Sequence, residues 1–161
     1  MRSLSFAARA LLLPLVLTLA IAAPAAAATT ASPTGEAQAA ISGSGTLAAK
    51  GAGTVRLAGS YVATGSMDGG WLKVIGITPW TVVRVSGWAS KTRFADGSLL
   101  FRGVHGSFYI AGRSIVTTIQ SPLVRFVASG HGRATLVGTG VYYVNGHGPF
   151  RWADGGVSST F

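Results

Sequence analysis

Glycine recurs in this chain at intervals of eight residues, in two separate stretches. The segments between these glycines alternate apolar and polar residues, as in Gly53-Thr-Val-Arg-Leu-Ala-Gly59. Alternation with a period of two is typical of a strand that buries one face, and a glycine at its end indicates a turn or a close backbone approach. The sequence therefore predicts a stack of short strands separated by glycine turns. The glycines that keep the spacing are Gly43, Gly51, Gly59, Gly130, Gly138 and Gly146.

No window from Ile41 onward shows a helical period, so we predict one all-β domain over residues 41–161. Turns are predicted at Asp68-Gly69-Gly70, Asp96-Gly97, Asn145-Gly146 and Asp154-Gly155-Gly156. The candidate strands are 45–50, 53–58, 60–65, 71–76, 81–86, 91–95, 98–103, 106–111, 114–120, 123–128, 132–137, 140–145 and 149–153. The candidate inward-facing residues are Leu47, Val55, Leu57, Tyr61, Leu72, Val74, Val83, Val85, Leu99, Phe101, Phe108, Ile110, Ile115, Ile119, Val124, Phe126, Leu136, Tyr142, Val144, Phe150 and Trp152.

Two architectures fit these strands. The segment 51–59 resembles the segment 130–138, and a repeated Gly-x-Gly unit favours a β-solenoid, in which about three short strands form each coil. The Asp-Gly and Asn-Gly dipeptides favour hairpins, and hence an antiparallel β-sandwich or barrel. The spacing of eight makes the solenoid the favoured prediction, with the sandwich or barrel as its alternative.

Residues 1–28 have the three-part layout of a secretory signal peptide. Arg2 and Arg9 give a charged start, residues 10–23 are apolar, and residues 26–28 are alanines suited to cleavage. A retained anchor is the alternative, because this uncharged stretch approaches the length that spans a bilayer. The layout predicts a secreted, periplasmic or cell-envelope protein without a transmembrane segment in the mature chain.

We expect the exported chain to begin near Thr29, because three alanines precede it and small residues are required at the cleavage site. N-terminal sequencing of the exported protein measures this directly. Recovery of a chain that still begins with Met1 would contradict the prediction and favour the anchor.

Residues 29–40 are small and polar without periodicity, which is typical of a flexible linker. The remaining length is enough for one domain with a buried core. The chain has no cysteine, so disulfides are excluded and stability must come from packing and backbone hydrogen bonds.

Three motifs carry a resemblance to known proteins: Asp-Gly-Gly-Trp at 68–71, Phe-Arg-Gly-Val-His-Gly at 101–106, and Gly-x-Gly-x-x-x-Leu-x-Gly-x-Gly at 130–140. With the order of strands and glycines over residues 43–152, they resemble an uncharacterised family of exported, glycine-rich, all-β bacterial proteins. At the level of fold the chain is also similar to bacterial β-solenoid domains of surface proteins. The resemblance implies export and an all-β fold, and it carries no activity to transfer.

Residues able to carry catalysis or bind a metal are few. Glu36 lies in the linker, and the three aspartates, Asp68, Asp96 and Asp154, each precede a glycine, where a turn uses the side chain. The three histidines, His105, His131 and His147, also precede glycines and lack the short spacing of metal ligands. We therefore predict no catalytic residue, metal or cofactor. A small secreted enzyme acting on a polysaccharide is the alternative, favoured if histidine and acid converge in one cleft.

Basic residues are the feature with the clearest functional content. Removal of Arg2 and Arg9 with the signal peptide leaves eleven Lys and Arg residues against four acidic residues, a net charge of +7. The alternation places most of them on the outer face, where they solubilise the protein or attract a polyanion such as an anionic envelope polymer. No nucleic-acid motif is present, so specific nucleic-acid binding is not expected. The predicted polyanion-binding residues are Arg56, Arg84, Arg102, Arg125 and Arg133.

Three tryptophans, Trp71, Trp80 and Trp88, cluster in the irregular part of the sequence. Aromatic side chains in such a region either pack against a small core or form a platform for a sugar or lipid. Exposed strand edges would in addition permit self-association. The sequence thus predicts a binding or structural role at the cell envelope.

Overall fold

The computed structural model describes residues 45–161, so the predicted signal peptide and linker lie outside the described residues. This part of the chain is all-β, as predicted, and contains no helix. These residues therefore include no helix that is long and apolar enough to cross a membrane. The strands are β1 Gly45–Asp68, β2 Trp71–Ile75, β3 Val82–Val85, β4 Ser90–Arg93, β5 Leu99–Arg102, β6 His105–Val144, β7 His147–Arg151 and β8 Val157–Thr160.

Two long strands dominate the fold. β1 has 24 residues and β6 has 40, and they pair antiparallel along nearly all of β1. The prediction of turns at Gly51, Gly59, Gly130 and Gly138 is therefore wrong, because these glycines lie inside the long strands. The predicted turns at the Asp-Gly and Asn-Gly sites are confirmed, and at one of them Asn145 and Gly146 have φ values of 50° and 78°.

The two long strands coil around each other. Residues 124–130 pair on one side with residues 45–51 and on the other with residues 61–67. β1 thus returns to the same segment of β6 after sixteen residues, as Lys50 and Ser66 show by both facing Arg125. The spacing of eight residues between glycines is half of this sixteen-residue separation along β1.

Glycine is required where the coiled strands approach each other. Gly53 faces Gly138 across the ladder, with φ values of 135° and 118°. A Cβ at Gly53 would overlap the carbonyl oxygen of Val137, and a Cβ at Gly138 would overlap that of Ala52. The predicted close backbone approach is therefore confirmed, although it joins two strands and forms no turn.

The remaining strands extend one antiparallel sheet in the order β1-β6-β2-β5-β4, with β3, β7 and β8 also paired to β6. The sheet is open, since β3, β4, β7 and β8 each have a single named neighbour strand. The sequence does not predict β8, because Val157-Ser-Ser-Thr160 has one apolar residue and so shows no alternation. Phe161, which follows the strand, is buried.

The predicted inward-facing residues contribute to one hydrophobic core, to which β1, β2, β5 and β6 all supply side chains. Most of them are buried, and Val83, Val85 and Val144 are partly buried against the core. Phe150 is the exception, with 45 % of its surface exposed, because β7 is an edge strand. Its ring packs against the ring of Tyr142, 5.3 Å away between centroids. With this exception the predicted residues belong to the core or pack against it. The core also contains buried residues that alternation did not identify: Ala49, Ala63, Met67, Val104, Ala128, Ala134 and Phe161.

Candidate functional site

The described residues carry a large excess of unpaired positive charge. Eleven Lys and Arg residues lie between residues 45 and 161, against three aspartates. Within this range the single ion pair joins His105 to Asp68, so none of the eleven cations forms a salt bridge there. Lys73 and Lys91 lie over the rings of Phe94 and Phe101, and the charge of the other nine is available to an external anion.

The five arginines predicted to bind a polyanion fall on five different cross-strand rows, where a row is a set of residues that face each other across neighbouring strands. Such residues share one side of the sheet. The structure therefore spreads these arginines and does not gather them in one row. Arg56 faces Thr118 and Thr135, Arg84 faces Tyr109, Arg102 faces Trp71 and Ser90, Arg125 faces Lys50 and Ser66, and Arg133 faces Ala58 and Thr160.

One row does concentrate positive charge, and we call it the basic row: Lys50, Arg125 and Arg151. Lys50 faces Arg125 directly, and on its other side it faces Val141, which faces Arg151. The Nε of Arg125 is buried and has no hydrogen-bond partner among residues 45–161. Like charges facing each other destabilise a sheet, so a bound anion would relieve the repulsion in this row.

The three tryptophans contact different parts of the protein. The Nε1 of Trp71 donates a hydrogen bond to Oε1 of Gln120 at 2.7 Å. The ring of Trp88 packs against Phe101, with 6.3 Å between centroids. Trp80 is 89 % exposed and lines a cavity. Of the predicted platform, only Trp80 borders this cavity.

The cavity has a volume of about 1000 Å³ and lies where β1, β6 and the loop before β3 meet. This is within the upper range of known ligand sites. Among the described residues its apolar lining includes Tyr61, Val62 and Trp80, and its polar lining includes Arg113 and Ser114.

A β-bulge shapes one wall of this cavity. Gly59 faces Ile115 and Tyr61 faces Gly112, so Arg113 and Ser114 both lie opposite Ser60. Ser114 has a φ of 51°, uncommon for a residue other than glycine, and its amide donates to Oγ of Ser60 at 3.2 Å. Bulges of this kind redirect side chains and are frequent beside functional sites.

Arg113 is a functional candidate that sequence analysis missed. The bulge interrupts the alternation of β6, so the sequence period does not assign Arg113 to either face. The neighbouring Gly112 is the local feature of the sequence that could have indicated this site. A Cβ at Gly112 would lie 3.1 Å from both Oγ1 and Cγ2 of Thr81. The absence of a side chain at Gly112 thus lets the loop that carries Trp80 approach the bulge.

Within residues 45–161 the one contact between a carboxylate and an imidazole, an arrangement typical of acid–base chemistry, joins Asp68 and His105. They face each other at the ends of β1 and β6, and Oδ1 of Asp68 lies 2.7 Å from Nδ1 of His105. Their side chains are 70 % and 67 % exposed, so water screens the pair. The other histidines are exposed elsewhere: His131 faces Ser60, and His147 faces Val144.

No group of three or more potential metal ligands occurs between residues 45 and 161. The remaining aspartates of this range lie in turns, where Oδ1 of Asp96 accepts the amide hydrogen of Ser98 at 2.9 Å and Asp154 occupies the turn before β8. Both therefore have the structural environment of turn residues.

Within residues 45–161 the fold and these sites define an all-β domain with a basic surface and a cavity that presents a tryptophan and an arginine. Comparison of the chain with models of known families, with curated proteins and with solved structures finds no match.

Proposed function

We propose that this is an exported cell-envelope protein that binds anionic polymers weakly through its outward Lys and Arg residues. The observation that carries the proposal is that eleven cations, none in a salt bridge within residues 45–161, lie on a domain with three aspartates. A field of this sign attracts polyanions and raises their local concentration. The expected partner is an anionic polymer of the envelope, because the first 28 residues have the layout of an export signal.

The basic row supplies the most concentrated charge in this proposal. Lys50 and Arg125 face each other, and Arg151 lies on the same row beyond Val141. A polymer with regularly spaced negative groups would contact several of these cations together and release the counterions that each side holds. Binding by this route depends on charge spacing and requires no recognition of sequence.

We infer that the antiparallel alternative, a sandwich or barrel, describes this fold better than the solenoid. Two findings support the inference: every ladder between named strands is antiparallel, and residues 124–130 pair with two different parts of β1. A solenoid coil stacks its strands in parallel register on those of the next coil, whereas antiparallel strands that return on themselves approach a barrel. The exposed edges of β3, β4, β7 and β8 keep self-association as a further proposal.

The salt dependence of binding tests the proposed function. We expect affinity for heparin and for an anionic wall polymer to fall steeply with salt, because each neutralised charge releases counterions. A variant carrying Lys50→Gln, Arg125→Gln and Arg151→Gln should reduce the slope of log K against log salt concentration by about 2 to 3.

A second triple variant provides the matched control. Arg84→Gln, Arg93→Gln and Arg102→Gln remove the same charge from three rows other than the basic row. Arg84 and Arg102 are predicted binding residues, but a polymer lying along the basic row does not contact them, so the slope should change by less than about 1. Circular dichroism would verify that both variants remain folded. Absence of binding to heparin, wall polymer and DNA at low salt would refute the proposal and leave the charge as a solubilising surface.

The Asp68–His105 pair favours the alternative, a small secreted enzyme acting on a polysaccharide. A carboxylate bonded to Nδ1 orients an imidazole for proton transfer at Nε2. However, within residues 45–161 no serine hydroxyl bonds to His105, and Asp96 and Asp154 lie in other turns. Binding is therefore the better-supported role.

A further inference from the structure

The cavity beside Trp80 has the features of a site for a small ligand, separate from the basic row. Its walls come from three parts of the chain: β1 at residues 60–62, β6 at residues 111–114, and the loop containing Thr78 and Trp80. A site built from distant parts of a sequence is present only in the folded protein.

Trp80 is held in an exposed position by its own turn. The amide of Thr81 donates to the carbonyl oxygen of Thr78 at 3.0 Å, and the amide of Thr78 donates to Oγ1 of Thr81 at 3.0 Å. Pro79, between them, restricts the backbone further. The turn fixes the backbone of Trp80, and its indole, which is 89 % exposed, offers a flat apolar surface to a ligand.

Arg113 supplies a charge beside this surface. It is exposed on the bulge, lines the same cavity as Trp80, and has no salt bridge within the described residues. Because the bulge fixes the backbone of Arg113 opposite Ser60, the guanidinium group extends from an ordered strand. A guanidinium group in such a position pairs well with a carboxylate or phosphate.

Hydroxyl groups complete the polar part of the lining. Ser60, Thr78 and Ser114 border the cavity. Oγ of Ser60 accepts a hydrogen bond from the amide of Ser114, and the hydroxyls of Thr78 and Thr81 lie 3.1 Å apart. A hydroxyl both donates and accepts, so these groups retain capacity for a ligand rich in hydroxyls.

We propose that this cavity binds one unit of an acidic saccharide, with an apolar face of the sugar ring on Trp80 and its acid group on Arg113. A sugar presents an apolar face and several hydroxyls on one rigid ring, which matches an indole bordered by serine and threonine. A fatty acid would match the charge and the apolar surface but has no hydroxyl groups to bond to these side chains. The site goes beyond the proposed function, because it does not require the basic row.

The test is calorimetric titration of the mature chain with a trimer of galacturonic acid and with the neutral galactose trimer, at about physiological salt. We expect the acidic trimer to bind at least about tenfold more tightly. Arg113→Gln should abolish this preference, whereas Trp80→Ala should weaken both trimers by about tenfold. Arg93→Gln and Phe150→Ala, which change an exposed arginine and an exposed aromatic residue on other strands, should leave both affinities unchanged.

Gly112→Ala tests the docking of the loop on the bulge. A Cβ at this position would lie 3.0 Å from Cγ2 of Ile115 and 3.1 Å from Thr81. The loop that carries Trp80 would then be displaced, and we expect the affinity for the acidic trimer to fall about tenfold while the domain stays folded. An unchanged affinity would overturn the role of the loop in the site.

The remaining outcomes overturn the proposal. Equal binding of the two trimers, or binding of neither, would exclude an acidic saccharide, and tight binding of dodecanoate would identify a lipid site. Self-association that Trp80→Ala abolishes would show that a second copy occupies the cavity. Loss of trimer binding in the basic-row variant would also overturn it. If neither trimer binds while heparin still binds, the proposed binding of anionic polymers is retained and only the saccharide site is excluded.

Discussion

Gly53→Ala is expected to lower the free energy of unfolding by about 3 kcal/mol or more, and the melting temperature by about 10 °C or more. Two effects add at this position. Gly53 has a φ of 135°, a conformation that residues with a Cβ rarely adopt. The added Cβ would also overlap the carbonyl oxygen of Val137 on the facing strand. Backbone cannot rotate away as a side chain can, so the long strands would have to separate locally.

Gly155→Ala is the matched control for this change. Gly155 lies in the turn before β8, has no positive φ, and would place a Cβ with nothing within 4 Å. The substitution should alter stability by less than about 0.5 kcal/mol. Thermal and urea unfolding of both variants measure the difference. Equal melting temperatures for Gly53→Ala and the unmodified protein would contradict the close contact between β1 and β6.

Gly53 also explains why the sequence predicts which residues form strands better than it predicts where those strands end and which strands they pair with. Positive φ occurs both in a turn and inside a bent strand, so a glycine at Gly53 or Gly138 fits either conformation locally. The distinction depends on the facing strand, more than eighty residues away along the chain in the Gly53–Gly138 pair. Sequence periodicity reports which residues turn inward and contains no information about such distant partners.

Alternation nevertheless identifies the core, because burial on one face imposes its period directly on the residues. Val55 and Leu57 are fully buried, as predicted, and Arg56 between them is exposed. Alternation does not predict the candidate cavity. Arg113 lies on a bulge where the period breaks, and its proximity to the loop of Trp80 arises from tertiary contacts.

Tyr61 links the core to the cavity and gives the protein a pH-dependent stability. Its side chain is 3 % exposed, its ring packs edge-on against Phe161, and its hydroxyl bonds to Oγ1 of Thr117 at 2.7 Å. Burial raises the pKa of Tyr61 to about 12, although the hydrogen bonds with Thr117 act in the opposite direction. The folded protein therefore keeps this phenol neutral at pH values where an unfolded chain would ionise it.

The sign of the effect follows from proton linkage. Between pH 10 and about 12 the native state retains a proton at Tyr61 that the unfolded state has lost, so stability falls as pH rises. The contribution of Tyr61 is fully present below pH 10 and is lost as pH approaches 12. A shift of this size corresponds to about 2 to 3 kcal/mol.

Tyr61→Phe should separate this effect from the general response to alkali. At neutral pH the variant loses the bond to Thr117, and we expect it to be less stable by about 1 kcal/mol. Above pH 10 its stability should fall less steeply than that of the unmodified protein, so the two free energies of unfolding in urea should become equal at about pH 11, and the variant should be the more stable protein near pH 12. Tyr109→Phe, at a tyrosine that is 38 % exposed, is the control and should keep the steep decline. Parallel declines for Tyr61→Phe and the unmodified protein would show that burial does not hold the Tyr61 phenol neutral.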